Sequence, residues 1–350
     1  MTRQIKVGKF KIGGGADIAI QSMAKTDTRD VAATVREIKA LENAGCEIAR
    51  VAIKDFQAAS AIKNIRKKIK IPLVADIHFD HRLAIACIEN GADKIRLNPG
   101  NIHREEHVIE VAKLAKKRHV PIRVGVNSGS VRLEAQGSRL KAEGLRLNAD
   151  ALVKSALDYI KILEKAKFYD IIVSLKASDV LTTIEAYRKF SKKSDYPLHL
   201  GVTAAGPIAT GLVKSAIGIG VLLLEGIGDT IRVSLTGNPC EEVIAAKNIL
   251  QALNLRNFGP EIISCPTCGR CQVDLQSVVK RLAFSLQPSA FSQKAVKIAV
   301  MGCEVNGPGE AKEADIGIAF GKNAGVLFKK GKVVKKVKTK DAIKAILNNI

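Results

Sequence analysis

Between residues 17 and 254, short β-branched and apolar runs alternate with longer amphipathic stretches. The runs at 17–23, 48–53, 72–78, 94–98, 121–127, 170–176, 198–203 and 230–236 are apolar on both faces, the mark of strands in a buried parallel sheet. Between them lie stretches of helical period, such as 31–44, 57–68, 81–90, 103–118 and 149–165. Eight βα repeats in ~240 residues suit an α/β fold of the (β/α)8 TIM-type barrel better than a doubly wound sheet. Gly13-Gly14-Gly15 follows a possible N-terminal ribbon but lacks the G-x-G-x-x-G context, which weakens a dinucleotide reading.

After Asn254 the pattern changes. Residues 255–260 read as a linker, and a smaller α/β unit follows, with strands at 261–264, 297–300, 315–320 and 325–328 and helices at 275–286 and 340–348. The predicted organisation is therefore a barrel at 1–254 and a second domain at 255–350. Seven lysines in 329–340 read as a short hairpin turning at Gly331 with a solvated lysine face.

A barrel makes a checkable demand: functional groups should collect at the C-terminal ends of its strands. Arg50, Asp76, His78, Arg96, Asn98, Arg123, Asn127, Lys176, Thr203, Ser234 and Thr236 all lie in or at the ends of the predicted strands. Four cations from four strands would share one rim. Unpaired charge inside a barrel is costly unless a counter-ion arrives. Arg and Lys beside Asn, Ser and Thr donors are what a diphosphate needs.

Composition narrows the classes. With 47% hydrophobic and 26% charged residues, the chain is neither disordered nor fibrous. No apolar run approaches the ~18 residues of a membrane span. No apolar stretch follows the first basic residues, so a secretory signal is not expected; the expected compartment is the cytoplasm, with no membrane partner. The balance of 56 Lys and Arg against 34 Asp and Glu gives +22, which favours anionic ligands without choosing between nucleic acid and a phosphate ester. Aromatics at 4%, with no Trp, argue against a stacking platform for single strands.

Seven cysteines in a reducing compartment do not suggest a disulfide framework. Cys46, Cys87 and Cys240 fall in or beside helical patterns and read as buried small hydrophobes. Cys265, Cys268, Cys271 and Cys303 form a separate cluster. C-x2-C-x2-C with a distant fourth cysteine is ferredoxin-like spacing for one [4Fe–4S] cluster. A four-cysteine zinc ribbon is the rival, and with the basic charge it would make a nucleic-acid-binding protein on a barrel scaffold. The second knuckle usual in a zinc ribbon is missing. The glycine-rich loop after Cys303 leaves backbone N–H groups free for cluster sulfurs.

Ser264-Cys-Pro-Thr-Cys-Gly-Arg270 together with Met301-Gly-Cys-Glu-Val-Asn-Gly-Pro-Gly-Glu-Ala311 resembles the 4-hydroxy-3-methylbut-2-enyl diphosphate synthase family of isoprenoid biosynthesis. The resemblance extends through Ile20-Gln-Ser-Met23, Val74-Ala-Asp-Ile-His-Phe79, Ile95-Arg-Leu-Asn-Pro-Gly100 and Ile122-Arg-Val-Gly-Val-Asn127. It continues in Leu198-His-Leu-Gly-Val-Thr203 and in the stretch from Glu225 to Thr236. It implies a two-domain iron–sulfur oxidoreductase that reductively opens 2-C-methyl-D-erythritol 2,4-cyclodiphosphate and expels water. Electrons would come singly from reduced ferredoxin or flavodoxin through a [4Fe–4S] cluster. A homodimer is implied, the cluster domain of one subunit closing over the other's barrel, with no nucleic acid involved.

Carried over by motif, Arg50, Arg96, Arg123, Lys176 and Ser234 would hold the diphosphate. Asp76, His78, Asn98, Asn127, Thr203 and Asn306 would line the reacting carbons. Cys265, Cys268 and Cys303 would be the thiolate ligands, with Glu310 on the fourth iron. Spacing alone makes Cys271 a ligand; the resemblance replaces it with Glu310, which would leave one iron able to accept a substrate oxygen. One departure stands out. The family has Glu after the Gly-Val-Thr of strand seven, a candidate proton donor, and this chain has Ala204. Loss of a general acid implies binding with slow turnover.

Overall fold

The computed structural model describes residues 1–131, 141–286 and 295–350, with side chains in the helix that starts at 141 described from residue 148 onward. It divides into two units, Met1–Arg256 and Asn257–Ile350.

The first unit opens with a hairpin of β1 (Ile5–Val7) and β2 (Phe10–Ile12). Then come β3 (Ala19–Met23), α1 (Val31–Ala44), β4 (Ile48–Ile53), α2 (Phe56–Arg66), β5 (Leu73–Ile77) and α3 (His81–Glu89). β6 (Lys94–Leu97), α4 (Glu105–Arg118), β7 (Ile122–Asn127), α5 (Lys141–Lys165), β8 (Ile171–Lys176) and α6 (Val180–Ser191) follow. β9 (His199–Leu200), α7 (Ile208–Leu224), β10 (Thr230–Ile231) and α8 (Pro239–Ala252) complete it. The parallel strands run in the order β8-β7-β6-β5-β4-β3-β10-β9, and a bridge from Val173 to Leu198 brings the ring almost to closure. This is the expected TIM-type barrel. α5 starts earlier than the helical pattern at 149–165 predicts.

Local signals place the helices. Asp30, Asp55 and Asp179 each accept a backbone N–H at a helix start, satisfying a donor the helix cannot. Gly45 closes α1 at φ +100°, a conformation that favours glycine. The N-terminal hairpin buries Ile5, Val7 and Ile12 against Ile48, Val74 and Ile172, so one end of the barrel is plugged with hydrocarbon and polar groups are left for the other.

The last two strands are much shorter than the runs at 198–203 and 230–236 suggest. Gly201 takes φ +151°, and a Cβ there would lie 2.4 Å from the Arg232 carbonyl oxygen and 2.7 Å from Lys176 Nζ. The ladder breaks where the backbone turns to let that lysine head pass.

The second unit contains β11 (Glu261–Ser264), α9 (Leu275–Leu286), β12 (Lys297–Met301), α10 (Gly307–Glu313), β13 (Ile316–Phe320), β14 (Ala324–Lys329), β15 (Lys332–Lys338) and α11 (Ala342–Leu347). β11, β12 and β13 are parallel, and β14 and β15 add antiparallel strands in that order. The hairpin turns at Lys330 and Gly331, both at positive φ, with β15 presenting its lysines on the exposed edge. Leu282, Ile298, Ile318, Phe320, Leu327 and Ile346 form its core.

Candidate functional site

Strand periodicity of two decides what enters the barrel. Along β6 it selects Lys94 and Arg96, along β7 Arg123, Gly125 and Asn127, along β8 Ser174 and Lys176. Strand register aligns Arg96 with Arg123, Gly125 with Ser174, and Asn127 with Lys176. Gly125 lacks a side chain where Arg96 lies: a Cβ there would be 2.4 Å from Arg96 Nε. The cup thus holds the basic side chains of Arg50, Lys94, Arg96, Arg123, Lys176 and Arg232, nearly all buried, against the carboxylates of Asp76 and Glu242.

Asp76 is the organiser. Its carboxylate lies 3.3 Å from Arg96 NH1, 3.7 Å from Arg50 Nε and 3.4 Å from His78 Nε2. Burial opposes its charge, but Arg50, His78 and Arg96 outweigh burial and hold the carboxyl far below the usual range. Asp76 is therefore an ionised anchor rather than a proton donor. Glu242, reaching in from α8, anchors Arg232 at 3.5 Å and accepts from Ser22 Oγ and the Leu235 N–H.

Compensation of the cations is incomplete. Arg123 is 2% exposed, yet its Nε and NH1 have no partner among the described residues, and Arg232 Nε is likewise alone. Burial first, then neighbouring guanidinium charge, pushes the Arg123 and Lys176 pKa values well down. Arg232 is brought to about 10 by burial and Arg50. Buried donors left unpaired are expensive, and a folded chain keeps them where a ligand completes the set.

The rim holds the less basic candidates. Asn98 Oδ1 accepts from Gly100 N–H and Ser130 Oγ, each at 3.1 Å, and Asn101 contacts His78 Nδ1 at 3.1 Å. Asn127, Thr203 and Ser234 are half-buried there, and Ala204 is exposed at φ +49°. Of the sequence-derived barrel residues, the structure gathers Arg50, Asp76, His78, Arg96, Arg123 and Lys176 into one charged network. Arg232, Lys94, Gln21, His199 and Glu242 were missed. Arg232 and Lys94 carried a signal all the same, lying two residues before Ser234 and Arg96 on the same strand face.

In the second unit, parallel pairing of Ser264 with Val300 sets the ends of β11 and β12 side by side. Cys265 follows one end and Cys303 the other, so the two cysteine loops share an edge of the sheet. Gly302 N–H donates to Cys265 Sγ at 3.3 Å, and a Cβ on Gly302 would lie 2.3 Å from Cys271 Sγ. Only glycine admits both sulfurs. The backbone N–H groups of Val305, Asn306 and Gly307 point at Cys303 and lower its thiol pKa, favouring a thiolate ligand. Cys268, Asn306 and Glu310 are exposed, Glu310 in the first turn of α10. Cys271 donates to the Val273 carbonyl at 3.2 Å.

Among the described residues no three His, Cys, Asp or Glu side chains are gathered into a metal-holding group. Cys265 and Cys271 both lie against Gly302. The donor set nonetheless fits iron and sulfide: soft thiols, one with a lowered pKa, a carboxylate in the first turn of α10, and backbone N–H groups that donate to the Cys265 and Cys303 sulfurs.

Comparison with known proteins bears on both units. Residues 2–247 match the GcpE TIM-barrel domain and residues 261–350 the GcpE protein C-terminal domain. The chain is 56% identical to the 4-hydroxy-3-methylbut-2-en-1-yl diphosphate synthase (flavodoxin) of Caldanaerobacter subterraneus subsp. tengcongensis, over 100% of this chain and 96% of that one. It is 53% identical to the enzyme of the same name from Thermodesulfovibrio yellowstonii, over 100% and 98%. In three dimensions it resembles dihydropteroate synthase from Yersinia pestis, with a TM-score of 0.51, 10% identity, and coverage of 73% of this chain and 99% of that one. That last likeness is one of fold alone.

Proposed function

This chain belongs to the GcpE family, and on that premise we propose that it converts 2-C-methyl-D-erythritol 2,4-cyclodiphosphate to (E)-4-hydroxy-3-methylbut-2-enyl diphosphate. The ring opens and water leaves, with two electrons consumed. The observation that supports the reading is the buried cup of cations in which, among the described residues, Arg123 Nε and NH1 and Arg232 Nε lack hydrogen-bond partners. A diphosphate supplies the missing negative charge and acceptors in one group.

Arg123, Lys176, Arg50, Arg96 and Arg232 hold the diphosphate, with Ser234 donating at the rim. Because Arg50, Arg96, Arg123 and Lys176 sit on strands packed on both sides, they are positioned before the ligand arrives and lose little order when it binds. Asp76 fixes Arg50 and Arg96 in place and remains ionised throughout. His78, Asn98, Asn127 and Thr203 lie at the mouth, where the sugar carbons would be held.

Cys265, Cys268 and Cys303 with Glu310 would hold a [4Fe–4S] cluster, which would supply single electrons and Lewis acidity. The relatives' names pair them with flavodoxin, which supports reduced flavodoxin as the donor, with ferredoxin an equivalent one-electron carrier. Asn306 and Glu310 are the C-terminal unit's proposed contributions to the chemistry, and a homodimer is the proposed assembly. The reaction belongs to the cytoplasm, where the thiols stay reduced. Ala204 offers no proton to the departing hydroxyl, so turnover is slow.

The test is direct. Anaerobically purified protein, given reduced flavodoxin and the cyclodiphosphate, yields the linear diphosphate by mass spectrometry and contains iron and acid-labile sulfide. A colourless, zinc-loaded protein that forms no product overturns the proposal.

A further inference from the structure

Lys94 opens β6, two residues before Arg96, and its side chain is wholly buried. Among the described residues its hydrogen-bond partner is Gln21 Oε1 at 3.3 Å, while Gln21 Nε2 has none. The cup's two carboxylates are engaged elsewhere. Asp76 on β5 is taken by Arg50, Arg96 and His78, and Glu242 on α8 by Arg232 and Lys25. Around Lys94 stand Arg50 on β4, Arg123 on β7 and the buried imidazole of His199 on β9, which also faces Lys176 on β8. The His199 ring bonds Thr230 Oγ1 through Nδ1 at 2.7 Å, and its Nε2 is unpartnered.

We propose that Lys94 is the floor of the anion cup and takes up a proton only when a diphosphate occupies that cup, so that ligand binding and protonation are coupled through this side chain. The inference rests on the diphosphate reading above and assigns the cup a further binding residue, nearer the plugged end of the barrel.

The physical case has two halves. An ammonium group without water or a counter-ion is penalised by burial and repelled by neighbouring guanidinium groups, so the empty cup favours the neutral amine. Burial is the larger cause here, with Arg123 and Arg50 adding to it, and together they push the lysine pKa well down. Arrival of a polyanion reverses the field at that nitrogen and favours the ammonium. The linkage is reciprocal: a ligand that raises proton affinity binds more weakly as protons become scarce. Holding one cation in reserve lets the empty barrel carry less repulsion than the filled one can use.

The experiment uses the full chain and inorganic pyrophosphate. Calorimetric titrations in buffers of different ionisation heat give the number of protons bound with the ligand. Wild type takes up about one proton more than Lys94→Met, and its affinity falls by up to about tenfold per pH unit more steeply between neutral and alkaline pH. Lys94→Gln repeats the measurement in case Met alters packing. Equal proton uptake in wild type and both variants overturns the proposal and moves the protonation to His199, Lys176 or the ligand. A wild type that does not bind pyrophosphate at all overturns the cup reading itself, a distinguishable failure.

Discussion

The barrel cup and the cysteine edge are built in opposite ways. In the cup, five of the six basic side chains hang from strands buried on both sides, Arg232 follows β10 directly, and their positions are set before any ligand is present. At the edge, Cys268, Asn306 and Glu310 are exposed, and the donors lie beside one another without forming a cage. The cup is financed by the hydrophobic core around it, which can carry unpaired charge. The edge has little burial to spend, so closing its ligands around a metal centre is left to the binding energy of that centre. On the proposed function, the same chain would hold one preorganised site and one whose geometry a bound cluster would complete.

This difference can be broken by experiment. The largest effect is expected from Cys303→Ala, which removes the thiol with the lowered pKa. Bound iron and flavodoxin-driven product formation should fall to background, while the melting temperature of metal-free protein stays unchanged. Retained iron and activity would show that Cys303 is no ligand. Paired Cys271→Ser and Glu310→Ala variants sharpen the point: cluster loss in the first alone would replace Glu310 by Cys271 in the ligand set.

Next is Ala204→Glu, at an exposed rim position whose positive φ the longer side chain must also adopt. Restoring a general acid should raise kcat by ~10²–10⁴-fold. Equal steady-state rates for the two proteins remove that role.

The smallest effect runs in two directions at once. Arg123→Met should raise KM for the cyclodiphosphate by about 10–10²-fold, the worth of about 1.5–3 kcal/mol of charge-assisted hydrogen bonding. The ligand-free protein should be as stable as wild type or more so by ~1–4 kcal/mol, because an uncompensated buried charge has been replaced by hydrocarbon. Thermal melts with and without pyrophosphate read both. A variant that is destabilised when empty would mean that Arg123 is structural.

Much of the barrel was legible because β-branched runs and amphipathic stretches alternate at regular intervals, which set Arg96, Arg123 and Lys176 in or at the ends of strands. The helical stretches at 31–44 and 57–68 were readable for the same local reason. The strands at 198–203 and 230–236 were legible but shorter than expected, β9 ending at Leu200 and β10 at Ile231, with Gly201 closely approached by the Arg232 carbonyl oxygen and by Lys176 Nζ from a distant strand. Arg232 went unremarked because nothing local distinguishes a buried arginine from a solvated one. Its anchor, Glu242, belongs to a helix that meets the strand only in the folded barrel.

By itself the sequence determined the repeat, the division into a barrel and a cysteine-bearing unit, the spacing of the thiols, and the family to which they belong. These are properties of neighbours along the chain: periodicity, turn chemistry and motif. Only the tertiary structure decided which charges are paired. Whether a cation costs or contributes depends on burial and on partners from distant strands. Asp76 holding Arg50 and Arg96, Glu242 holding Arg232, and Lys94 left with Gln21 alone are outcomes of register and closure that no local pattern encodes.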